Sequence, residues 1–84
     1  MLLLFLWGVI NTKDEVLIKA FGMRIRELRK AKKLSMEKLA ELSGIDYRQL
    51  SYVELGETNP TISTASAIAK GLDIQLQDLF DFNY

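Results

Sequence analysis

The sequence predicts a small all-α domain of 84 residues. Four stretches carry apolar residues at the three- and four-residue spacing that places them on one face of a helix. Each stretch follows a residue suited to a helix N-cap, in order Thr12, Ser35, Asp46 and Thr61. The chain has no convincing internal strand pattern, no repeat and no long linker, so the helices are expected to form one domain.

The first predicted helix begins at Thr12, which has the spacing of a capping box with Glu15. Gly22 lies inside this helix and costs about 1 kcal/mol relative to Ala, which leaves open a kink or a later start of the helix. The apolar face of the helix consists of Leu17, Phe21, Ile25 and Leu28.

Two short helices follow, separated by a tight corner at residues 43–45. Ser35 caps the first of them and Gly44 ends it, whereas Asp46 caps the second, with Gln49 three residues further on. The first is expected to bury Leu39, Ala40 and Leu42. A polar loop with one Gly and one Pro comes next. This is the sequence form of a helix-turn-helix, a unit whose second helix can enter the major groove of DNA.

A rotation of about 100° per residue separates two faces of the third helix. Leu50 and Val53 define its buried face. The opposite face holds Arg48, Ser51, Tyr52 and Leu55, with Tyr47 at its margin. An Arg side chain can donate two hydrogen bonds to guanine, and an aromatic ring can pack on a thymine methyl group. The residues on this face are therefore suited to contacts with base edges. The residues alone leave open that both tyrosines are ordinary half-buried amphipathic side chains.

Two further helices are predicted after the polar loop. Thr61, next to Pro60, caps the fourth helix, whose apolar stripe is Ile62, Ala65, Ile68, Ala69 and Leu72. A last short helix covers residues 75–80, with core candidates Leu76, Leu79 and Phe80.

The composition argues against an enzyme. The chain contains no Cys and no His, so thiol nucleophiles, disulfides, the usual proton shuttle and the usual zinc ligand sets are excluded. The remaining carboxylates, lysines and tyrosines are not organised by a Gly-rich phosphate loop or by calcium-binding spacing. We therefore expect no catalytic residues, no metal, no cofactor and no small-molecule substrate.

Charge is distributed unevenly along a chain whose formal net charge is zero. Residues 1–48 hold 10 of the 11 basic and 6 of the 11 acidic residues, whereas residues 49–84 hold 1 basic and 5 acidic residues. The first half is therefore positive and the second half negative. A neutral protein with a basic face can still bind DNA electrostatically.

The first ten residues, MLLLFLWGVI, are apolar throughout. They are fewer than the roughly 20 that a membrane span needs, and they lack the basic region and cleavage site of a signal peptide, so we expect no membrane association. Three interpretations stay open: packing on the domain or dimerisation as a strand, disorder, or translation from an upstream start codon. Since an exposed apolar strand would aggregate, we expect it to be covered, and a dimer contact would do so economically.

Residues 21–80 carry a family resemblance in three runs, FGMRIRELRKAKKLSMEKLAELSGI, LSYVELGETNPTI and IAKGLDIQLQDLF. In the order and spacing of these runs the chain resembles the Cro/C1-type helix-turn-helix regulators, a phage-repressor-like group. The resemblance implies a five-helix lambda-repressor-like DNA-binding domain over residues 13–84. Residues 1–12 would then form an apolar N-terminal extension.

The resemblance also implies roles for individual residues. Family positions that contact bases fall on Tyr47, Arg48 and Tyr52, and Ser51 occupies a position that often touches bases or phosphate. The family's internal ion pair falls on Arg29 and Glu54. Contacts to the DNA backbone are expected from Lys32, Lys33, Ser35, Lys38, Thr58 and Asn59.

Four positions depart from the family pattern. Met36 replaces a Gln that braces the recognition helix and touches a phosphate, Leu55 replaces a basic residue, and Glu57 replaces another. Lys33 stands where the first helix usually ends in Gly. Because the first three changes remove polar or positive contacts near phosphates, we expect weaker binding that dimerisation rescues.

The resulting hypothesis is a small cytoplasmic, dimeric regulator of transcription that binds a near-palindromic site in double-stranded DNA. A repressor, the controller of a restriction system and an antitoxin all fit this format, and a protein partner is compatible with it. The alternative is a protein-interaction module on the same fold that has lost its DNA affinity, which zero net charge, Met36, Leu55 and Glu57 favour.

Overall fold

A computed structural model describes residues 13–84. Four α-helices, α1 (Glu15–Ala31), α2 (Met36–Ser43), α3 (Tyr47–Leu55) and α4 (Ile62–Gly71), are followed by a 3-10 helix (Leu76–Phe80). Within residues 13–84 there is no strand, which confirms the all-α class. The last predicted helix is a 3-10 helix, so a fifth α-helix is not confirmed, and the predicted extension at residues 1–12 lies outside the described residues.

The N-cap predicted for α1 is wrong. The helix begins at Glu15, and its cap is Asp14, whose Oδ1 accepts a hydrogen bond from the backbone N–H of Leu17 at 3.0 Å. An Asp is at least as good a cap as a Thr, and its carboxylate also interacts favourably with the positive end of the helix dipole. Thr12 itself lies outside the described residues.

The buried face of α1 is formed by Ile18, Phe21, Gly22 and Ile25, whereas Leu17 and Leu28 are only partly buried. Gly22 does not interrupt the helix, which runs unbroken for 17 residues. A Cβ atom at this position would overlap the backbone carbonyl oxygens of Val53 and Glu54. Gly22 therefore allows the backbones of α1 and α3 to approach closely.

The other three helices begin at the predicted caps. Each cap uses a side-chain oxygen to accept a backbone N–H, in the bonds Lys38 N to Ser35 Oγ (3.0 Å), Arg48 N to Asp46 Oδ1 (2.7 Å) and Thr64 N to Thr61 Oγ1 (3.1 Å). Gly44 ends α2 with a φ of 69° and Gly56 ends α3 with a φ of 72°, the left-handed conformation that Gly adopts without strain.

One hydrophobic core joins all five helices of residues 13–84. Its buried members are Phe21, Ile25, Leu39, Ala40, Leu50, Val53, Ala65, Ile68, Ala69, Leu72 and Leu79. The 3-10 helix is attached to α1 at two points. The guanidinium of Arg24 donates to the carbonyl oxygen of Asp78 from Nε (3.2 Å) and Nη2 (3.0 Å), and the ring of Phe80 stacks on that of Phe21 with centroids 5.0 Å apart.

Three residues predicted for the core are exposed. Leu42 is 48% exposed because it lies about 110° around α2 from the middle of the arc formed by the other inward-facing residues. Ile62 is 81% exposed because it is the first residue of α4, beyond the turns that pack on α2. Phe80 is 51% exposed, since only one face of its ring is covered by Phe21.

Two residues other than Gly have a left-handed backbone. Lys33, in the turn after α1, and Asp73, after α4, each have a φ of 59°. At Lys33, which stands where the family usually has Gly, this conformation costs free energy, because the Cβ of an L-residue crowds the following carbonyl.

We predict that Gly22→Ala lowers the free energy of unfolding by about 1–3 kcal/mol, because the added methyl group must push α1 away from rigid carbonyl groups of α3. An ordinary Gly inside a helix would instead gain about 1 kcal/mol on replacement by Ala. Urea unfolding followed by circular dichroism measures the change, with Met23→Ala on the exposed side of α1 as the control. A stabilised Gly22→Ala variant would contradict the close approach.

We also predict that Lys33→Gly raises the free energy of unfolding by about 0.5–1 kcal/mol, because Gly adopts the left-handed conformation without strain. Asp73→Gly should give a similar gain. Lys32→Gly is the matched control, since Lys32 has a φ of −88° and no strain to relieve. Thermal unfolding of the three variants tests this. Equal melting temperatures for Lys33→Gly and Lys32→Gly would contradict it.

Candidate nucleic-acid interface

The candidate recognition helix, α3, is held to α1 by a buried ion pair. Arg29 on α1 donates from Nε to Oε2 of Glu54 at 2.8 Å and from Nη2 to Oε1 at 3.0 Å. The two side chains are only 11% and 4% exposed. A bidentate pair of this kind fixes both distance and orientation, so the rotation of α3 about its own axis is set from inside the domain.

The same guanidinium also holds the turn between α1 and α2. Its Nη1 donates to the carbonyl oxygen of Leu34 at 2.9 Å. One side chain therefore joins α1, the connection to α2 and the end of α3. The structure brings together the two residues that the resemblance assigned to an internal pair, and it adds this third contact, which the sequence did not indicate.

A second tie joins the first turn of α3 to the first turn of α4. The side-chain amide of Gln49 donates from Nε2 to Oγ1 of Thr64 at 3.3 Å, and the hydroxyl of Thr61 donates to the same oxygen at 3.1 Å. The sequence spacing suggested only that Gln49 takes part in capping α3, as the partner of Asp46. Its actual partner is 15 residues away, and no local pattern reports such a contact.

The face of α3 turned away from the core carries the predicted base-contacting residues. Tyr47 and Tyr52 are 47% and 45% exposed, Arg48 is exposed and Ser51 is partly buried. Tyr47 is thus as open as Tyr52, although the rotation argument placed it at the margin, because it is the first residue of α3 and no preceding turn covers it. The structure therefore presents two phenol groups and one guanidinium on one helix face.

The predicted backbone-contacting residues lie in three segments around the helix pair. Lys32 and Lys33 are exposed in the turn after α1, Ser35 and Lys38 are exposed at the start of α2, and in the loop after α3 Asn59 is exposed and Thr58 partly buried. The ammonium of Lys38 lies 3.6 Å from a carboxylate oxygen of Glu41. Such an exposed pair is worth less than about 1 kcal/mol, so this cation is free to turn towards another anion.

The departures from the family pattern are visible at the end of α3. Met36 is partly buried against the core and lines, together with Ser51 and Leu55, a groove that includes the ion pair. Leu55 is 55% exposed and Glu57 is exposed. This end of the surface consequently offers apolar and acidic groups where a phosphate would need donors or positive charge.

Residues 13–84 contain no group of three or more acidic, His or Cys side chains that could hold a metal ion. None of the described helices is long and apolar enough to cross a membrane.

The comparison with known proteins agrees with this geometry. A family model described as Helix-turn-helix matches residues 25–79, which include α2, α3 and the corner between them. The chain belongs to the Cro/C1-type helix-turn-helix family. The family resemblance predicted from the sequence is therefore confirmed.

Relatives within the family are regulators by name. The chain is 38% identical over 55 residues to the immunity repressor protein of Bacillus phage phi105, and the match covers 66% of this chain and 38% of that protein. It is 35% identical over 63 residues to the control protein C.BamHI of Bacillus amyloliquefaciens, covering 74% of this chain and 78% of that protein. The chain thus spans about a third of the length of the larger relatives that it matches.

A solved structure gives the same fold. The restriction-modification controller protein C.AhdI from Aeromonas hydrophila superposes with a TM-score of 0.73 at 44% identity, covering 75% of this chain and 96% of that protein. Since these family members are regulators, repressors and controllers, the prediction that the chain is not an enzyme is confirmed.

We predict that Arg29→Met lowers the free energy of unfolding by about 3–5 kcal/mol, because it leaves the carboxylate of Glu54 buried without a partner. The double variant Arg29→Met/Glu54→Leu should recover most of this loss, apart from about 1 kcal/mol for the unpaired carbonyl of Leu34.

Urea unfolding of the two single variants and the double variant measures this coupling. Glu41→Ala, which breaks only the exposed pair with Lys38, is the control and should cost less than about 1 kcal/mol. Strictly additive losses at Arg29 and Glu54 would show that the ion pair does not hold α3 in place.

Proposed function

We propose that this chain is a sequence-specific regulator of transcription that reads the major groove of double-stranded DNA with α3. The observation that carries the proposal is the outward face of α3, on which Tyr47, Arg48 and Tyr52 are exposed together. The family membership of residues 25–79 supports the same function.

The chemistry of this face suits base edges. The guanidinium of Arg48 has parallel N–H donors that match O6 and N7 of guanine, and each phenol ring can pack on a thymine methyl group while its hydroxyl bonds a base edge or phosphate. Ser51, only partly buried, adds a short donor and acceptor beside them. In this proposal residues 13–84 are the DNA-binding domain and residues 1–12 are an apolar extension to it.

The contacts to the DNA backbone would come from the segments that flank the helix pair. The bond from Arg29 to Leu34 keeps the turn that carries Lys32 and Lys33 close to the end of α3. Ser35 and Lys38 at the start of α2, with Thr58 and Asn59 after α3, would provide the remaining contacts. Such contacts set affinity and register and carry no sequence information of their own.

We expect a dimer because a single copy would bind DNA weakly. Leu55 and Glu57 leave one end of the surface without donors for phosphate, so one domain alone would bind weakly. Two copies on a near-palindromic site, with their α3 helices about 34 Å apart, would add their contacts on successive turns of the major groove. Occlusion of a promoter would be the mode of action, and the relative named as an immunity repressor protein supports a repressor.

One observation favours a second function, binding of a protein partner. Leu55 and Met23 are 55% and 61% exposed and line one groove between α3 and α1. Exposed apolar side chains at such a groove are typical of protein contacts. The four charged residues that also line this groove, Arg26, Glu27, Lys30 and Glu54, make it less apolar than a usual interface core.

Substitution of Arg48 distinguishes the two functions. We predict that Arg48→Ala weakens binding to a preferred duplex by about 1–3 kcal/mol and relaxes the preference at one base pair. Lys38→Ala should weaken binding to all sequences alike and lower the salt slope by about one unit, because it removes a phosphate contact. Fluorescence anisotropy of labelled duplexes over a salt series measures both effects.

Lys70→Ala is the charge-matched control, since Lys70 is exposed in the last turn of α4 and is not among the residues proposed to contact DNA. It should leave base preference unchanged. Equal effects of Arg48→Ala and Lys70→Ala on affinity and preference would contradict the assignment of α3 as the reading helix and would favour the protein-interaction module.

A further inference from the structure

A second surface feature is an apolar groove that does not involve α3 and lies between α1, α4 and the 3-10 helix. It has a volume of about 110 Å³ and is bounded by the first turns of α1, the start of α4 and the 3-10 helix. Its lining residues are Leu17, Ile18, Phe21, Asn59, Pro60, Thr61, Ile62 and Phe80. No charged side chain is among them.

The groove is poorly covered within residues 13–84. Ile62 at its rim is 81% exposed and Phe80 is 51% exposed, although both are large apolar side chains. Burying apolar surface of this kind is favourable in proportion to the area removed from water. The groove beside Met23 and Leu55 differs, because charged side chains interrupt it. The uncharged groove is therefore the better match for a wholly apolar occupant.

We propose that the occupant is the chain's own N-terminal segment, residues 1–10, docked in the groove of the same molecule. The segment is MLLLFLWGVI, ten residues without a charged side chain. It precedes α1, whose first turns supply Leu17 and Ile18 to the groove wall. The connection of residues 11–14 spans at most about 14 Å, so the segment is held next to the groove at its point of attachment.

Covalent attachment favours this occupant over a second copy. A segment tethered by four residues has an effective local concentration in the millimolar range for its own groove. A second copy would have to compete with that concentration from solution. Docking would also remove from water two sets of apolar side chains, those of the segment and those of Ile62 and Phe80, which otherwise favour aggregation.

The chain contains its own probe for this contact. Trp7 is its single tryptophan and lies inside the segment, so tryptophan emission reports on the segment alone. In the full chain we expect blue-shifted emission that is protected from acrylamide. Ile62→Asp should shift the emission to the red and remove the protection, because it places a carboxylate in the groove. Asp is tolerated in the first turn of α4, next to the positive end of the helix dipole.

Met23→Asp is the matched control. Met23 is 61% exposed on α1 and does not line the groove, so this change should leave the emission as it is. Circular dichroism of both variants verifies that the helices are retained. None of these measurements uses DNA, so their outcome is separate from that of the proposed function.

Three results would overturn the proposal. Emission of the full chain typical of tryptophan in water would show that the segment is not docked. Emission unchanged by Ile62→Asp would place the segment somewhere else. A blue-shifted emission that turns red on dilution, together with a fall in mass by light scattering, would identify a second copy as the occupant.

Discussion

The bidentate contact between Arg29 and Glu54 is the interaction on which the arrangement of the helix pair depends. Both groups are charged and nearly excluded from solvent, so each requires the other. An apolar contact between α1 and α3 would tolerate small rotations, whereas two hydrogen bonds between planar groups do not. A rotation of α3 about its own axis would turn Arg48 and the two tyrosines together, away from the side on which they are exposed. Close packing at Gly22 acts in the same direction, since it brings the backbone of α1 against the carbonyl groups of the residues that end α3.

The two ends of α3 are fixed by different means, and this difference has a consequence for function. Its C-terminal end is clamped by a buried ion pair, whereas its first turn is joined to α4 by a longer, exposed hydrogen bond from Gln49. The first turn is also where Tyr47 and Arg48 lie. A rigid end and a more adaptable end would suit the proposed role of α3, in which the helix holds its register in the major groove of DNA while its leading side chains adjust to base edges. The departures at Leu55 and Glu57 fall at the rigid end, where phosphate contacts rather than base contacts are expected to be lost.

The sequence alone was sufficient to predict those features of the fold that depend only on neighbouring residues. Caps at Ser35, Asp46 and Thr61 and the left-handed turn at Gly44 follow from groups within three residues of each other, and all are present.

The cap of α1 was misplaced because two suitable residues, Thr12 and Asp14, compete over one helical turn. Ile62 fits the periodic pattern of α4 but is exposed, since periodicity gives the face of a helix and not where its neighbours end. The exposure of Arg48, Tyr52 and Leu55 was predictable from rotation alone, whereas Tyr47 is more exposed than its predicted place at the margin. The tie from Gln49 to Thr64 was not, because it depends on how α4 returns to α3. The roles of these residues at DNA remain predictions.

The most direct test of the account is selection of binding sites by the intact protein from a library of random duplexes, at one fixed, moderate salt concentration, followed by sequencing. The account predicts an inverted repeat whose half-sites are about one helical turn apart, because two copies would place their α3 helices in successive major grooves. Recovery of no common motif, with no duplex binding even at low salt, would contradict the account. It would show that the exposed face of α3 serves a contact other than DNA.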